Sequence, residues 1–400
     1  TVEGLVVDGG LGWAVLSWWG ILLAEAGQFT PGIFLAPAGL LAVALWTVPR
    51  SDRSGGWRID AAALVALALV AVLAGSLFFP VFDVQLEARD PGTYFHAGRQ
   101  LARHGEINFI DPTVTGLGPE TRAAMFPPVG GHERAFHNSR YPGFYLETLE
   151  SGRVVPQAAP VFTVWVGVGY WVGGDRGALG AGAVLMAIGA GLLSLLGAAY
   201  AGRVGLAAGP LFATGFVAVW FAKYSAAEAA ALVAVLLGCL GMARYRQDGD
   251  RFHALAAALG FGLAPLAKAE LLVIFFPLAA ILFVDVVTRR LNTRDFVYLW
   301  LPLGLLGSHL VVHATGWLWP YYFDVARQYS PTPIGLYAIG TGAAQLGILV
   351  TVLVRYMFAG QFESISAFVR GDNAEGRAAR WLVAGAAVAL SAYGYWGRPY

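Results

Sequence analysis

Charged side chains are scarce in this chain, at 13% of 400 residues, while 57% are hydrophobic. An average soluble domain is roughly a quarter charged, so a soluble fold of this size is excluded. Lysine is scarcer still, with Lys223 and Lys268 its only two occurrences. The single cysteine, Cys239, lies inside an apolar run and excludes an intrachain disulfide framework. A formal net charge of +1 gives no basic footprint for nucleic acid. P-loop, dinucleotide fingerprint, nucleophile elbow and H-E-x-x-H motifs are all absent. The chain starts at Thr1 and stops just past an apolar run, so a piece of a longer protein, truncated at its C-terminus, is expected.

Apolar runs are abundant instead. They recur near 9–27, 31–48, 59–80, 177–200, 204–221, 226–243, 253–267, 271–287, 296–315, 334–354 and 381–396. Most approach the roughly 17 to 25 residues that cross a bilayer core. Short arginine clusters separate some of them: Arg50, Arg53 and Arg58; Arg203; Arg244, Arg246 and Arg251; Arg289, Arg290 and Arg294; and Arg355 to Arg380. Arginine-rich short loops mark the cytoplasmic side, and long loops translocate regardless of charge. If all five clusters are cytoplasmic, an even number of crossings lies between neighbours. That parity predicts an all-α polytopic membrane protein with about eleven crossings, N-terminus inside and C-terminus outside. It makes 81–156 a large extracytoplasmic loop, and keeps the extra apolar stretch 160–173 from crossing. The expected organisation is two additional N-terminal helices over 1–58, a main membrane module over 59–290, and further helices over 291–400.

The few polar residues gather on the predicted outer side. Lys223 and Lys268 fall at two outer apices, with Glu228 five residues after the first and Glu270 two after the second. Ionisable groups at this depth are expensive and usually face a cavity, although lysines at helix ends also snorkel to headgroups. The outer loop opens with Asp83, Glu87 and Asp90 in FDVQLEARDPGTYFHAGRQLARHG. Asp90-Pro91-Gly92 reads as a helix start, with Asp as a cap and Pro in the first turn. A general base close to the headgroups is the functional alternative. Tyr145 and Gln157 follow later in the loop, and Tyr321 and Asp324 occupy a further outer loop. Aromatics there suit a sugar-binding surface or plain interfacial anchoring. His132 and His137 lack a convincing metal spacing.

Four strings together resemble the GT-C glycosyltransferase superfamily, in particular its bacterial protein-mannosyltransferase-like branch, family 39. ARDPGTYFHAGRQLARHG is similar to the family's acidic segment with a following Tyr, here Tyr94. VVPQAAPVFTVWVGVGYWVGGDRGALG, LFATGFVAVWFAKYSAAEAAALVAVLLG and GLAPLAKAELLVIFFPLA resemble later family segments. The likeness covers roughly 59 to 290. The chain departs from the family in three ways: three helices precede the loop instead of one, Asp90 stands beside proline instead of a second acid, and Lys223 replaces an arginine.

The resemblance implies inverting transfer of a sugar from a polyprenyl-phosphate donor to an extracytoplasmic glycan, lipid or protein acceptor, in a bacterial cytoplasmic membrane. Asp90 would take the acceptor proton, with Glu87 and Asp83 in reserve. Lys223, Lys268 and Arg176 would stabilise the leaving phosphate. Tyr94, Gln157, Tyr321, Glu228 and Glu270 would bind substrate or orient the lysines. No metal or other cofactor is required by that scheme, since fixed cations can stabilise a phosphate. A transporter or flippase of lipid-linked saccharides, and a non-catalytic subunit on the same scaffold, are the competing classes.

Overall fold

The computed structural model describes residues 2–37, 39, 60–85, 90–126, 137–138, 143–274, 278 and 293–328. Glu87, the stretch 131–136 with His132, and every residue after 328 lie outside them. The described chain is predominantly helical, as the apolar runs require. Among the described residues, four segments are long and apolar enough to cross a membrane: Glu3–Glu25, Pro160–Thr214, Glu228–Asp248 and Val297–Gly316. Ala61–Leu77 and Arg251–Ala267 are shorter apolar helices. Two compact units divide the chain, one of Thr1–Lys268 with Leu303–Phe323, the other of Ala269–Pro302 with Asp324–Tyr400.

In the first unit, helix α1 (Val2–Glu25) is followed by α2 (Ala61–Leu77), whose N-terminus is capped by the Asp60 carboxylate accepting from the Ala62 N–H. The chain then enters the loop region with α3 (Asp90–His104), two short helices α4 (Pro112–Thr115) and α5 (Pro119–Met125), and a small antiparallel sheet. The strands are β1 (Phe109–Ile110), β2 (His137–Asn138), β3 (Phe144–Leu146) and β4 (Arg153–Pro156), ordered β1-β4-β3-β2. Tyr145 opposes Val155, and Leu146 opposes Val154. Val114, Phe126, Leu146 and Val154 close a small core on this sheet.

Helix α6 (Pro160–Ala201) is two helices, because Gly173 and Gly174 leave helical geometry. Gly174 has φ 59° and ψ −145°, a conformation nearly exclusive to glycine. The chain reverses there. A side chain on Gly177 would collide with the Gly169 carbonyl, and one on Gly169 with the Gly177 carbonyl. The two arms therefore run antiparallel, backbone against backbone, as small residues allow in membrane helices. The arm 160–172 rises about 20 Å, short of a hydrocarbon core of about 30 Å. The apolar stretch at 160–173 is thus a short helix folded back on its successor.

A second reversal follows at Gly202, with φ 61° and ψ −146°. Gly197 and Gly205 meet across it as Gly169 and Gly177 do. The chain climbs again through α7 (Ala208–Thr214) and α8 (Phe216–Lys223). It then descends α9 (Glu228–Asp248), turns at left-handed Gly249, and returns along α10 (Arg251–Ala267). Helix α11 (Thr293–Gly316) and α12 (Trp319–Gln328) end the described chain.

One end of this helical stack is basic. The Arg244 Nη2 donates to Glu3 Oε2 at 2.7 Å, tying the start of α1 to the foot of α9. Gln247 Nε2 donates to the Ala199 carbonyl at 2.8 Å, bringing the foot of α6 to the same level. Glu228 stands about 24 Å above Arg244 along α9. The arginine-bearing ends and the lysine-bearing ends of these helices are therefore opposite.

Candidate functional site

The lysine-bearing end is built from helix breaks. Helix α8 stops at Lys223, an extended segment follows, and α9 starts at Glu228. Helix α10 stops at Lys268, which is its C-cap in extended conformation. Because α9 and α10 form one hairpin, the first residue of α9 meets the last of α10. Lys268 Nζ donates to Glu228 Oε1 in an ion pair whose side chains are 31% and 32% exposed. The sequence spacing had set Glu228 beside Lys223 and Glu270 beside Lys268. In the structure Glu228 reaches across the hairpin to Lys268, forty residues on. Glu270 lies in the first turn of a 3-10 segment, Ala269–Ile274, that belongs to the second unit.

Lys223 holds the entry to the loop region that follows α2. Its carbonyl accepts the Phe82 N–H at 3.0 Å, and its ammonium lies 6.0 Å from the Phe82 ring centroid. Asp83 is the next residue. It is exposed, and its Oδ1 accepts the Gln85 N–H at 3.3 Å, a local turn. The Gln85 carbonyl is 2.7 Å from His96 Nε2, which joins this strand-like entry to α3.

Helix α3 opens with Asp90, exposed in its first turn, where a carboxylate suits the helix dipole. One turn on, Tyr94 is buried, and its hydroxyl accepts the Ala159 N–H at 3.3 Å. The Tyr94 ring meets Phe162 edge-on at 5.2 Å. Phe162 lies beside Gly182, and Gly182 beside the Ala222 carbonyl and Ser225. A continuous chain of contacts thus runs from the start of α3 to the break between Lys223 and Glu228. Ser225 is buried in that break, and its hydroxyl has no hydrogen-bond partner among the described residues.

The remaining sequence candidates fall elsewhere. Arg176 is exposed at the reversal of α6, about 9 Å further along that arm than Gly182. Its neighbour Asp175 faces Arg99 of α3 at 3.6 Å. Gln157 is half-buried, and its backbone N–H donates to the Gly143 carbonyl at 2.8 Å. Tyr321 lies in α12, its ring 5.1 Å from Tyr322. A cleft of about 660 Å³ opens at the other end of α3 from Asp90, lined by Gln100, His104, Glu106, Asn108 and Arg153 among others.

No family model, no curated protein and no solved structure matches this chain. The site's chemistry therefore rests on its own residues. It offers an exposed carboxylate at a helix start, two ammonium groups at neighbouring helix breaks, and a glutamate engaged with one of them.

A second polar cluster escaped the sequence reasoning. Glu25, His309 and His313 are the group whose donor atoms lie within 4.8 Å of one another among the described residues. The i, i+4 spacing of His309 and His313 was a visible signal for a shared helix face. Glu25, 284 residues from His309, was visible only as a charge ending an apolar run.

Proposed function

We propose that this chain is an inverting, GT-C-like glycosyltransferase that uses a polyprenyl-phosphate sugar and works at the outer face of a bacterial cytoplasmic membrane. What supports this is one observation. Lys223, the Lys268–Glu228 pair and the Phe82–Asp83 loop entry share one end of the helical stack, opposite the Glu3–Arg244 end. Arginine-rich ends face the cytoplasm, so the lysines face outward, at the depth of lipid phosphates. The topology proposed with it is the multi-pass arrangement of about eleven crossings with loop 81–156 outside.

The chemistry follows from charge. As the acceptor hydroxyl attacks the anomeric carbon, its proton passes to the Asp90 carboxylate. The bond to the donor phosphate breaks on the opposite face, and the departing phosphate gains charge. Lys223 and Lys268 neutralise that charge from fixed positions, which needs no reorganisation at the moment of reaction. Glu228 holds Lys268 in place until the phosphate arrives.

The test is consumption of polyprenyl-phosphate sugars by the chain in liposomes, with Asp90→Asn as the variant. A positioned base typically supplies about 10²- to 10⁴-fold, so the variant should lose that much while still binding the donor. Full activity of Asp90→Asn removes Asp90 as the base. A path that moves lipid-linked sugar across the bilayer without cleaving it would replace the enzyme with a flippase.

A further inference from the structure

The transfer chemistry leaves unused a buried cluster at the upper end of α1. Glu25 is the last residue of α1, and His309 and His313 occupy successive turns of α11. His309 Nε2 lies 3.0 Å from both Glu25 carboxylate oxygens, and His313 Nδ1 lies 2.5 Å from Oε1. The three side chains are 7%, 9% and 0% exposed. The Trp317 indole N–H donates to the Glu25 carbonyl at 3.2 Å, closing the cluster from the loop side.

We propose that Glu25, His309 and His313 bind a zinc ion that staples α1 to α11. Two imidazoles and one carboxylate are a recurrent zinc donor set, with bonds of about 2.0 to 2.2 Å. Calcium and magnesium prefer all-oxygen sets and fit poorly. All three donors converge on one point, and tetrahedral coordination asks them to open by less than about 1 Å. The fourth position would go to water.

The proton positions make the proposal specific. The Trp18 indole N–H donates to His309 Nδ1 at 2.9 Å. Neutral His309 therefore carries its proton on Nε2, directed at Glu25. Ligation through Nε2 moves that proton to Nδ1, and Trp18 must release its hydrogen bond. His313 ligates through Nδ1, and its proton moves to Nε2, a buried atom with no hydrogen-bond partner among the described residues. No net proton is lost. A metal-ligating histidine normally donates from its other nitrogen to an acceptor, and Trp18 offers a donor instead. Trp18 thus works against the metal by about one neutral hydrogen bond, on the order of tenfold in affinity.

The test is zinc binding by the full chain in detergent, with zinc alone as the probe and cobalt absorbance as a check of geometry. One tightly held zinc per chain is expected, with a tetrahedral cobalt spectrum. His309→Gln and Glu25→Gln should each abolish it. Trp18→Phe should tighten it by up to about tenfold. That gain is a readout which a merely structural hydrogen bond would not produce, and it stands if the Glu25 variant fails to fold. Zinc bound equally by His309→Gln, no stoichiometric zinc in the parent chain, or weaker binding by Trp18→Phe would each overturn the proposal. Because metal binding is the readout, the outcome is independent of glycosyltransferase activity.

Discussion

Substituting Gly177 by alanine probes the fold where it is tightest. The new Cβ would land on the Gly169 carbonyl, within van der Waals radii of its oxygen and 3.1 Å from its carbon. Neither is the end of a flexible side chain, so relief requires the two arms of α6 to part by about 1 Å. Overpacking of this kind costs about 1 to 3 kcal/mol. Alanine also gains up to about 1 kcal/mol of helix propensity over glycine, which would mask part of the loss. Gly180 supplies the control, since it lies on the same arm and its added Cβ meets only Phe79 Cε1 at 3.6 Å, an ordinary contact. Both variants gain the same propensity, so their difference isolates the collision. Gly177→Ala should be less stable than Gly180→Ala by about 1 to 3 kcal/mol. Thermal unfolding in one detergent, followed by tryptophan fluorescence, measures it. Equal midpoints for the two variants would refute the folded-back geometry of 160–173.

Other perturbations have equally definite outcomes. Gly174→Ala and Gly202→Ala each force a side chain into backbone space reserved for glycine, and each should lose about 1 to 3 kcal/mol of stability in the same assay. Lys268→Met should depress sugar transfer more than Glu228→Gln, because in the proposed chemistry only the lysine meets the phosphate. The double variant should be no worse than Lys268→Met alone, as residues acting as a unit are not additive; a multiplicative loss in transfer rates would separate the two roles. Glu3→Gln removes the anchor of α1 on Arg244, a partly exposed pair, so a stability loss of no more than about 1 kcal/mol is expected, shrinking at high salt.

Much of the architecture was written in local composition. The runs at 9–27, 226–243 and 253–267 became α1, α9 and α10 because a helix satisfies its own backbone hydrogen bonds where water is absent. The helix start at Asp90-Pro91-Gly92 was legible from cap chemistry alone. Glu3 meets Arg244, and Gln247 meets the Ala199 carbonyl, so the ends of α1, α9 and α6 that lie near arginines in the sequence share one end of the stack. The placement of both lysines at helix breaks was equally local, since an apolar helix that ends in a charge ends near a boundary.

Partners across the fold were a different matter. Glu228 was nearest Lys223 in sequence, yet it pairs with Lys268, because the α9–α10 hairpin brings together residues forty apart. The fate of 160–173 turned on one backbone conformation at Gly174, which composition does not reveal. Glu25 and the two histidines of α11 are unremarkable charges and rings until α1 and α11 pack side by side. Sequence by itself determined what is local here: helix, cap and boundary. Tertiary structure alone decided which side chains share a pocket, because desolvation and hydrogen bonding act through distance in space, and chain order carries that distance only within a few turns.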